Sequence, residues 1–162
     1  MLNKLKNGTS FFLAIIVIFS VFTTMSYTTS AINVNDIPDD AFEFNDHYYK
    51  VYDGVCDSWV EAVEYCESLG GHLATITSHE ENEAVYSYIT SCSYKNAYFG
   101  FSDRINEGTW EWVNGENSEY TNWHSYEPNN ESRNEDYAMF YWKYSDGTWN
   151  DGNFGQGTDL MI

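Results

Sequence analysis

The chain has 162 residues, enough for one domain with a short leader, and carries 25 acidic residues against 7 basic ones. All of the acidic residues lie after position 31, whereas Lys4 and Lys6 precede it, so the rest of the chain is strongly anionic. This charge excludes nucleic acid as a partner, because phosphate binding needs a basic surface.

Residues 1–31 have the features of a secretory signal peptide. Lys4 and Lys6 precede an apolar run from Phe11 to Phe22, and the small residues Thr29-Ser30-Ala31 follow it. The run spans about 12 residues, whereas a helix that crosses a bilayer needs about 20. We therefore expect a secreted, extracellular protein with no membrane span in the mature chain, and an uncleaved anchor is the weaker interpretation.

An acidic linker, residues 32–41, is predicted from Pro38 and the lack of apolar periodicity. Residues 42–162 form the predicted domain, and its aromatic segment Phe44 to Tyr52 indicates a strand or hairpin.

Two helices are predicted from capping boxes, in which Ser is followed three residues later by Glu. The first begins at Ser58-Trp59-Val60-Glu61 and stops at Gly70-Gly71. The second begins at Ser78-His79-Glu80-Glu81 and runs to about Ile89. Apolar residues recur with helical spacing in both segments.

After Ser91, short aromatic runs separated by Gly, Asn, Asp and Ser predict strands. The runs are Tyr98-Phe99-Gly100-Phe101, Trp110-Glu111-Trp112-Val113, Tyr137 to Tyr141 and Gly147-Thr148-Trp149. The polar segment 114–133 is too long for an ordinary connection, which indicates a functional loop, and Trp123 and Pro128 inside it indicate order.

Carboxylates and side-chain amides alternate in three late motifs, Glu127-Pro128-Asn129, Glu135-Asp136 and Trp149-Asn150-Asp151. Hard oxygen donors suit Ca²⁺, which takes about 6–8 oxygens, whereas zinc would need His or Cys and only His124 lies close. An amide oxygen can bind a metal while its NH₂ donates to a sugar hydroxyl.

The arrangement of these acids does not suit a glycoside hydrolase. Such an enzyme holds one carboxyl in an apolar pocket and keeps two carboxyls at a set separation. Here the acids alternate with amides in polar loops, so we expect metal binding and no enzymatic activity.

Four blocks, in order, resemble the C-type lectin-like domain from about Tyr48 onward. Trp59 to Cys66, followed by Gly70-Gly71-His72-Leu73-Ala74, is similar to that family's first helix and its exit, and Tyr98-Phe99-Gly100-Phe101 stands where the family has Trp-Ile-Gly-Leu. The Glu-Pro-Asn and Trp-Asn-Asp motifs match the family's calcium and sugar motifs. The resemblance implies an α+β fold with two helices flanking small antiparallel sheets and a long Ca²⁺-binding loop region.

The resemblance also implies a principal Ca²⁺ site formed by Glu127, Asn129, Glu135, Asn150 and Asp151. Four of these, Glu127, Asn129, Glu135 and Asn150, would bind carbohydrate as well, with the carboxylates accepting hydroxyl protons and the amides donating. In the family this motif order goes with mannose-type sugars, whose 3- and 4-hydroxyls are equatorial, and Pro128 should be cis. The alternative is the same fold binding a protein partner, with calcium structural or absent.

A second, structural Ca²⁺ site is implied at Asp103, Glu107, Asn130, Glu135 and Asp136. Asn130 stands where the family commonly has an acid, which weakens this site. The alternative for Asp103 and Glu107 is a polar turn before Gly108.

Among the aromatic residues, some are predicted core residues and others are candidates for ligand contact. Trp123 and Tyr126 flank the predicted sugar site and are the better candidates for contact. The predicted core members are Trp59, Trp110, Trp112 and Trp149.

Two departures from the family concern its disulfides. Tyr137 and Phe154 stand where the family has its second disulfide, which suggests replacement by aromatic packing. Cys66 lacks its family partner because the chain reaches Ile162 without a Phe-Ile-Cys sequence, so the final strand is predicted to be missing or reduced and the domain truncated. The cysteines are odd in number, so at least one is free or partnered outside the chain; they are Cys56, Cys66 and Cys92.

Overall fold

In the computed structural model, the described part of the chain is residues 37–162, with gaps at 95, 142 and 155–159. It belongs to one structural unit, Val34–Ile162. The predicted signal peptide, residues 1–31, and the first half of the predicted linker lie outside the described residues. Within the described part, no helix combines the length and the apolar composition that a membrane span requires.

The domain begins with a two-stranded hairpin, as its aromatic sequence predicts. Strand β1, Phe42–Phe44, pairs antiparallel with β2, His47–Tyr49. The two residues of the turn, Asn45 and Asp46, have φ angles of 48° and 64°. Asn and Asp tolerate this left-handed conformation, which gives the twist that a tight hairpin needs.

Both capping boxes form the helices predicted from them. In helix α1, Trp59–Ser68, the Ser58 hydroxyl accepts the Glu61 N–H at 3.2 Å, and Gly70 with φ 84° follows the helix end. In helix α2, His79–Ser91, the Ser78 hydroxyl accepts the Glu81 N–H at 3.1 Å. Helix α2 continues two residues beyond its predicted end.

A mixed sheet forms the centre of the domain. Its strands are β3 (Tyr52–Asp53), β4 (Ala97–Ser102), β5 (Glu111–Trp112), β6 (Tyr137–Phe140), β7 (Trp149–Gly152) and β8 (Leu160–Met161). The order is β3-β8-β4-β6-β7, with β5 also paired to β4. Strand β4 is buried along its whole length, which explains its continuous apolar character.

Of the two predicted alternatives for the final strand, missing is wrong and reduced is what the structure has: β8 is two residues long. Strand β8 pairs antiparallel with β3 and parallel with β4. The Ile162 N–H donates to the Tyr98 carbonyl at 3.1 Å, and the Ile162 carbonyl accepts the Ala74 N–H at 2.6 Å. Ile162 is also buried in the core, so backbone pairing and burial fix this end of the domain without a Phe-Ile-Cys sequence.

The core contains two apolar clusters. The first lies between helix α2 and the sheet and includes Val85, Ile89, Phe99, Trp112 and Trp149. The second lies against helix α1, and its buried members are Trp59, Ala62, Cys66, Leu73, Tyr98 and Met139. Three of the four predicted core tryptophans are buried, and Trp110 is half-buried against the first cluster.

Aromatic packing occupies the region where the family has its second disulfide. The Tyr137 ring stacks on Trp59 with centroids 5.1 Å apart, and the Phe154 ring packs on Tyr98 at 4.8 Å. Both rings adjoin the second cluster, as the replacement hypothesis predicts. The thiol pKa of buried Cys66 is raised to about 11, mainly by burial, which keeps this cysteine protonated and apolar in character.

Candidate functional site

The segment that carries the first motif is fixed to strand β7. The Trp149 N–H donates to the Asn122 carbonyl at 2.8 Å, and the His124 N–H donates to the Trp149 carbonyl at 2.9 Å. Residues 122–124 therefore run beside β7. This pairing brings the long polar loop next to the Trp-Asn-Asp motif.

Strand β7 begins at Trp149, so Asn150 and Asp151 lie on a strand and not in the polar loop assumed from the sequence. Asn150 faces the neighbouring cavity and is 8% exposed, while Asp151 is fully buried. A strand positions these side chains more rigidly than a loop would.

Asp151 joins the two motifs directly. Its Oδ1 accepts the Asn129 N–H at 3.0 Å, and its Oδ2 accepts the Asn130 N–H at 2.6 Å. The Glu127-Pro128 peptide bond is cis, as predicted. The loop thus returns its backbone N–H groups to β7 immediately after the proline.

Glu127 is held at both carboxylate oxygens. Oε1 accepts a 2.7 Å hydrogen bond from the Tyr144 hydroxyl, and Oε2 accepts one from the Asn129 side-chain amide. Burial raises the pKa of Glu127 above its usual value, and the neighbouring Asp151 carboxylate acts in the same direction. The side-chain amide of Asn150, like that of Asn129, donates to a neighbouring acidic residue: its acceptor is the backbone carbonyl of Asp151.

Glu135 reaches the same region from the far end of the loop. Its Oε2 accepts the Glu131 N–H at 2.7 Å, and its own N–H donates to Asn130 Oδ1 at 3.1 Å. Burial, followed by the charges of Asp151, Glu131 and Glu127, raises the pKa of Glu135 to about 7. The other three carboxylates therefore lie close enough to oppose the ionisation of Glu135.

The donor set of this region fits a hard cation. Among the described residues, no group of three or more His, Cys, Asp and Glu side chains is arranged to hold a metal ion by itself. Amide oxygens from Asn129 and Asn150 would have to complete the shell, and such mixed oxygen donors are typical of Ca²⁺. A cation would also offset the burial and the neighbouring negative charges that raise the pKa of Glu135. Of the five predicted ligands of the principal site, four border the same cavity and Asp151 bonds to the Asn129 N–H; the four are Glu127, Asn129, Glu135 and Asn150.

The residues predicted for a second site are only partly brought together. Asp103 is buried; its Oδ2 accepts the Gly108 N–H at 2.8 Å, while Oδ1 is buried without a hydrogen-bond partner. Burial and the Asp103 charge raise the pKa of Asp136. A buried oxygen without a partner is costly, and a cation would satisfy it. Glu107 is exposed, and Asn130 Oδ1 already accepts from the Glu135 N–H.

The aromatic candidates for ligand contact have different environments. Trp123 is half-buried and packs on Trp110 at 4.6 Å and Trp149 at 5.7 Å, so it is a core residue. Tyr126 is 92% exposed. Sequence reasoning missed Tyr144, which contacts Glu127 across 17 positions of the chain and belongs to no motif.

A cavity of about 770 Å³ opens beside these side chains. Its lining includes Glu127, Asn129, Glu135, Asn150 and Tyr144. The cavity is therefore bordered by both carboxylates and both amides that were predicted to contact a sugar.

Comparison with known proteins identifies the family. The model of the "Lectin C-type domain" family matches residues 56–156. The chain belongs to the C-type lectin family. C-type lectin domains are binding domains that generally recognise carbohydrate and typically depend on Ca²⁺.

Relatives and solved structures extend the assignment. The lectin domain is 42% identical over 97 residues to a perlucin-like protein of Mytilus galloprovincialis, covering 58% of this chain and 61% of that protein. It is 36% identical to collectin-43 of Bos taurus, covering 60% of this chain and 30% of that one. The chain therefore spans less than two thirds of these relatives.

Among solved structures, the C-type lectin CEL-I from Cucumaria echinata is 26% identical with a TM-score of 0.66, covering 76% of this chain and 93% of that one. The cow CD23 C-type carbohydrate-recognition domain, crystallised in the presence of GlcNAc2Man3 oligosaccharide, is 25% identical with a TM-score of 0.58. It covers 76% of this chain and 91% of that chain. The predicted α+β, C-type lectin-like fold is thereby confirmed.

Proposed function

We propose that this domain binds mannose-type carbohydrate through Ca²⁺, in an extracellular setting. The main support for this proposal is a pair of hydrogen bonds, donated by the backbone N–H groups of Asn129 and Asn130 to the Asp151 carboxylate. These bonds place the Glu-Pro-Asn loop beside the Asn-Asp strand, so that carboxylate and amide groups from both border one cavity.

The principal ligands would be Glu127, Asn129, Glu135, Asn150 and Asp151, which together offer about six oxygens. A bound Ca²⁺ would supply positive charge and open coordination positions for two sugar hydroxyls. Asp103 and Asp136 would form the core of a second ion site, and Glu107, Asn130 and Glu135 are its remaining predicted ligands.

The protein's own side chains would orient the sugar. Glu127 and Glu135 would each accept a hydrogen bond from a sugar hydroxyl, and the amides of Asn129 and Asn150 would each donate one to a hydroxyl oxygen. Each amide has two N–H groups, so one can keep its present bond, to Glu127 or to the Asp151 carbonyl, while the other donates to the sugar. Sugar binding thus adds hydrogen bonds at fixed positions.

Two further observations support the choice of sugar and setting. The order Glu-Pro-Asn goes with equatorial 3- and 4-hydroxyls by family resemblance, and the CD23 domain was crystallised with a mannose-containing oligosaccharide. The predicted leader, residues 1–31, supports secretion.

The test is retention of the purified chain on mannose-agarose in Ca²⁺, with release by chelator and by free mannose. Galactose-agarose is the matched control resin. Retention on neither resin by a protein that still unfolds cooperatively would exclude sugar binding of this type, and would favour the same fold acting on a protein partner.

A further inference from the structure

Tyr144 contacts the predicted sugar site from outside its motifs. It lies between β6 and β7, where its N–H donates to the Tyr141 carbonyl at 2.9 Å. Its hydroxyl donates to Glu127 Oε1 at 2.7 Å, and its side chain lines the same cavity as Glu127, Asn129 and Glu135. Tyr144 is thus part of the wall on the Glu127 side.

The Tyr144 ring is fixed by its neighbours. It stacks on the His124 ring with centroids 3.7 Å apart and planes 3° from parallel. The Tyr141 ring meets it edge-on at 5.6 Å. His124 is itself held by the backbone, since its N–H donates to Trp149 and its carbonyl accepts from Glu127, both at 2.9 Å. The position of the hydroxyl is therefore set before any ligand arrives.

We propose that Tyr144 is a positioning residue that sets sugar selectivity by fixing which carboxylate oxygen of Glu127 faces the ligand. The His124 ring, on which Tyr144 stacks, holds Tyr144 in this position. The proposal rests on the function proposed above. Tyr144 occupies Oε1, so Oε2, on the Asn129 side, is the oxygen presented to a sugar hydroxyl.

Tyr144 continues to hold Glu127 when sugar is bound. The Asn129 amide has two N–H groups, so one can stay on Glu127 while the other donates to the sugar. The bond from Tyr144 does not compete with the sugar, because it uses the other oxygen. It therefore keeps the carboxylate in place during binding.

The decisive variant is Tyr144→Phe, which keeps the stacked ring and removes the hydroxyl. Mannose and galactose binding would be titrated at saturating Ca²⁺, and Ca²⁺ affinity measured separately. We expect mannose binding to weaken about 5-fold, as for loss of a hydrogen bond of ordinary net strength. The mannose preference over galactose should shrink, because a carboxylate free to rotate discriminates less. Ca²⁺ affinity should change less than about 2-fold, since the Glu127 charge is retained.

The matched control is Tyr48→Phe, which removes a hydroxyl from an exposed tyrosine of strand β2 and should bind both sugars as the wild type does. His124→Ala should weaken mannose binding, and His124→Phe should restore it by preserving the stack. In the Tyr144→Phe background, His124→Ala should add little, because both changes act through one hydroxyl.

The outcomes separate the two proposals. If the wild type binds mannose and Tyr144→Phe binds it equally well with the same selectivity, the role assigned to Tyr144 is overturned. If the wild type binds neither sugar in Ca²⁺, the proposed function fails and takes this inference with it.

Discussion

The indole N–H of Trp149 donates a 2.7 Å hydrogen bond to the side-chain carbonyl of Asn82 in helix α2. The Asn82 amide in turn donates to the Gly147 carbonyl at 3.0 Å, and Asn82 is only 1% exposed. One buried amide therefore links helix α2 to the start of the strand that carries Asn150 and Asp151.

We predict that Asn82→Ala lowers the free energy of unfolding by about 1–3 kcal/mol, because the buried Trp149 indole N–H loses its partner, whereas the Gly147 carbonyl keeps its bond from the Asn122 amide. Urea unfolding of wild type and variant measures the change. The control Asn117→Ala, at an exposed loop position, should stay within about 0.5 kcal/mol of wild type. Equal midpoints for Asn82→Ala and Asn117→Ala would contradict the structural role of this amide.

Calcium is expected to stabilise the fold. The clustered carboxylates of Glu127, Glu135 and Asp151 oppose one another without a cation. Binding to the native state alone, at 100 times the dissociation constant, adds about 2.7 kcal/mol. Thermal unfolding in Ca²⁺ and in chelator measures this difference. A melting curve that is the same in both would rule out the metal site.

The calcium effect should depend on pH in a definite direction. The pKa of Glu135 is raised from 4.5 to about 7, so the metal-free fold favours the protonated form of this residue. The contribution of protonated Glu135 to the free energy of unfolding is fully present below the unfolded-state pKa, about 4.5. It is lost as the pH rises through the folded-state pKa, about 7. Ca²⁺ prefers the ionised form, so the stabilisation by Ca²⁺ should grow over the same interval.

Melting temperatures at several pH values between 5 and 8, in chelator and in Ca²⁺, test this prediction. Glu135→Gln is the matched variant, because it removes the titrating group and keeps the shape. If the wild type and Glu135→Gln show the same pH dependence in chelator, another group is responsible.

Sugar choice should follow the chemistry of positions 127 and 129. The double variant Glu127→Gln with Asn129→Asp keeps the local charge but exchanges the acceptor and the donor. Each mismatched polar contact with a mannose-type sugar costs about 1–3 kcal/mol, so mannose retention should be lost. By family resemblance, galactose-type sugars should then be preferred.

Side-by-side retention on mannose and galactose resins in Ca²⁺ checks this exchange. Glu135→Ala is the informative contrast, because it should lose the metal and both sugars together. A double variant that retains mannose as the wild type does would show that these two residues do not contact the ligand.

Local signals predicted much of the fold. Ser58 and Ser78 specify helix starts through contacts within four residues, and the structure has both caps. The aromatic runs predicted the strands, although β7 begins two residues later than expected and continues to Gly152. Strand β8 could not be placed from the sequence because it has only two residues, too few to show a strand pattern, and lacks the Phe-Ile-Cys sequence.

The candidate site could be predicted only as far as its motifs extend. Tyr144 and Asn82 act across 17 and 67 positions of the chain, and no local pattern indicates such contacts. Trp123 is a candidate for ligand contact by its position next to the motif in sequence, but in the structure it packs on Trp110 and Trp149. Adjacency along the chain is a poor guide where a loop folds back on a strand.

The attachment of the binding loop to Asp151 has a dynamic consequence. Two backbone N–H groups hold this part of the loop to β7, whereas the sheet is held by many paired strands and a buried core. The loop should therefore open at a lower free energy than the domain unfolds. Amide protons of Asn129 and Asn130 would exchange early while those of β4 stay protected, and bound ligand would escape through this local opening without loss of the fold.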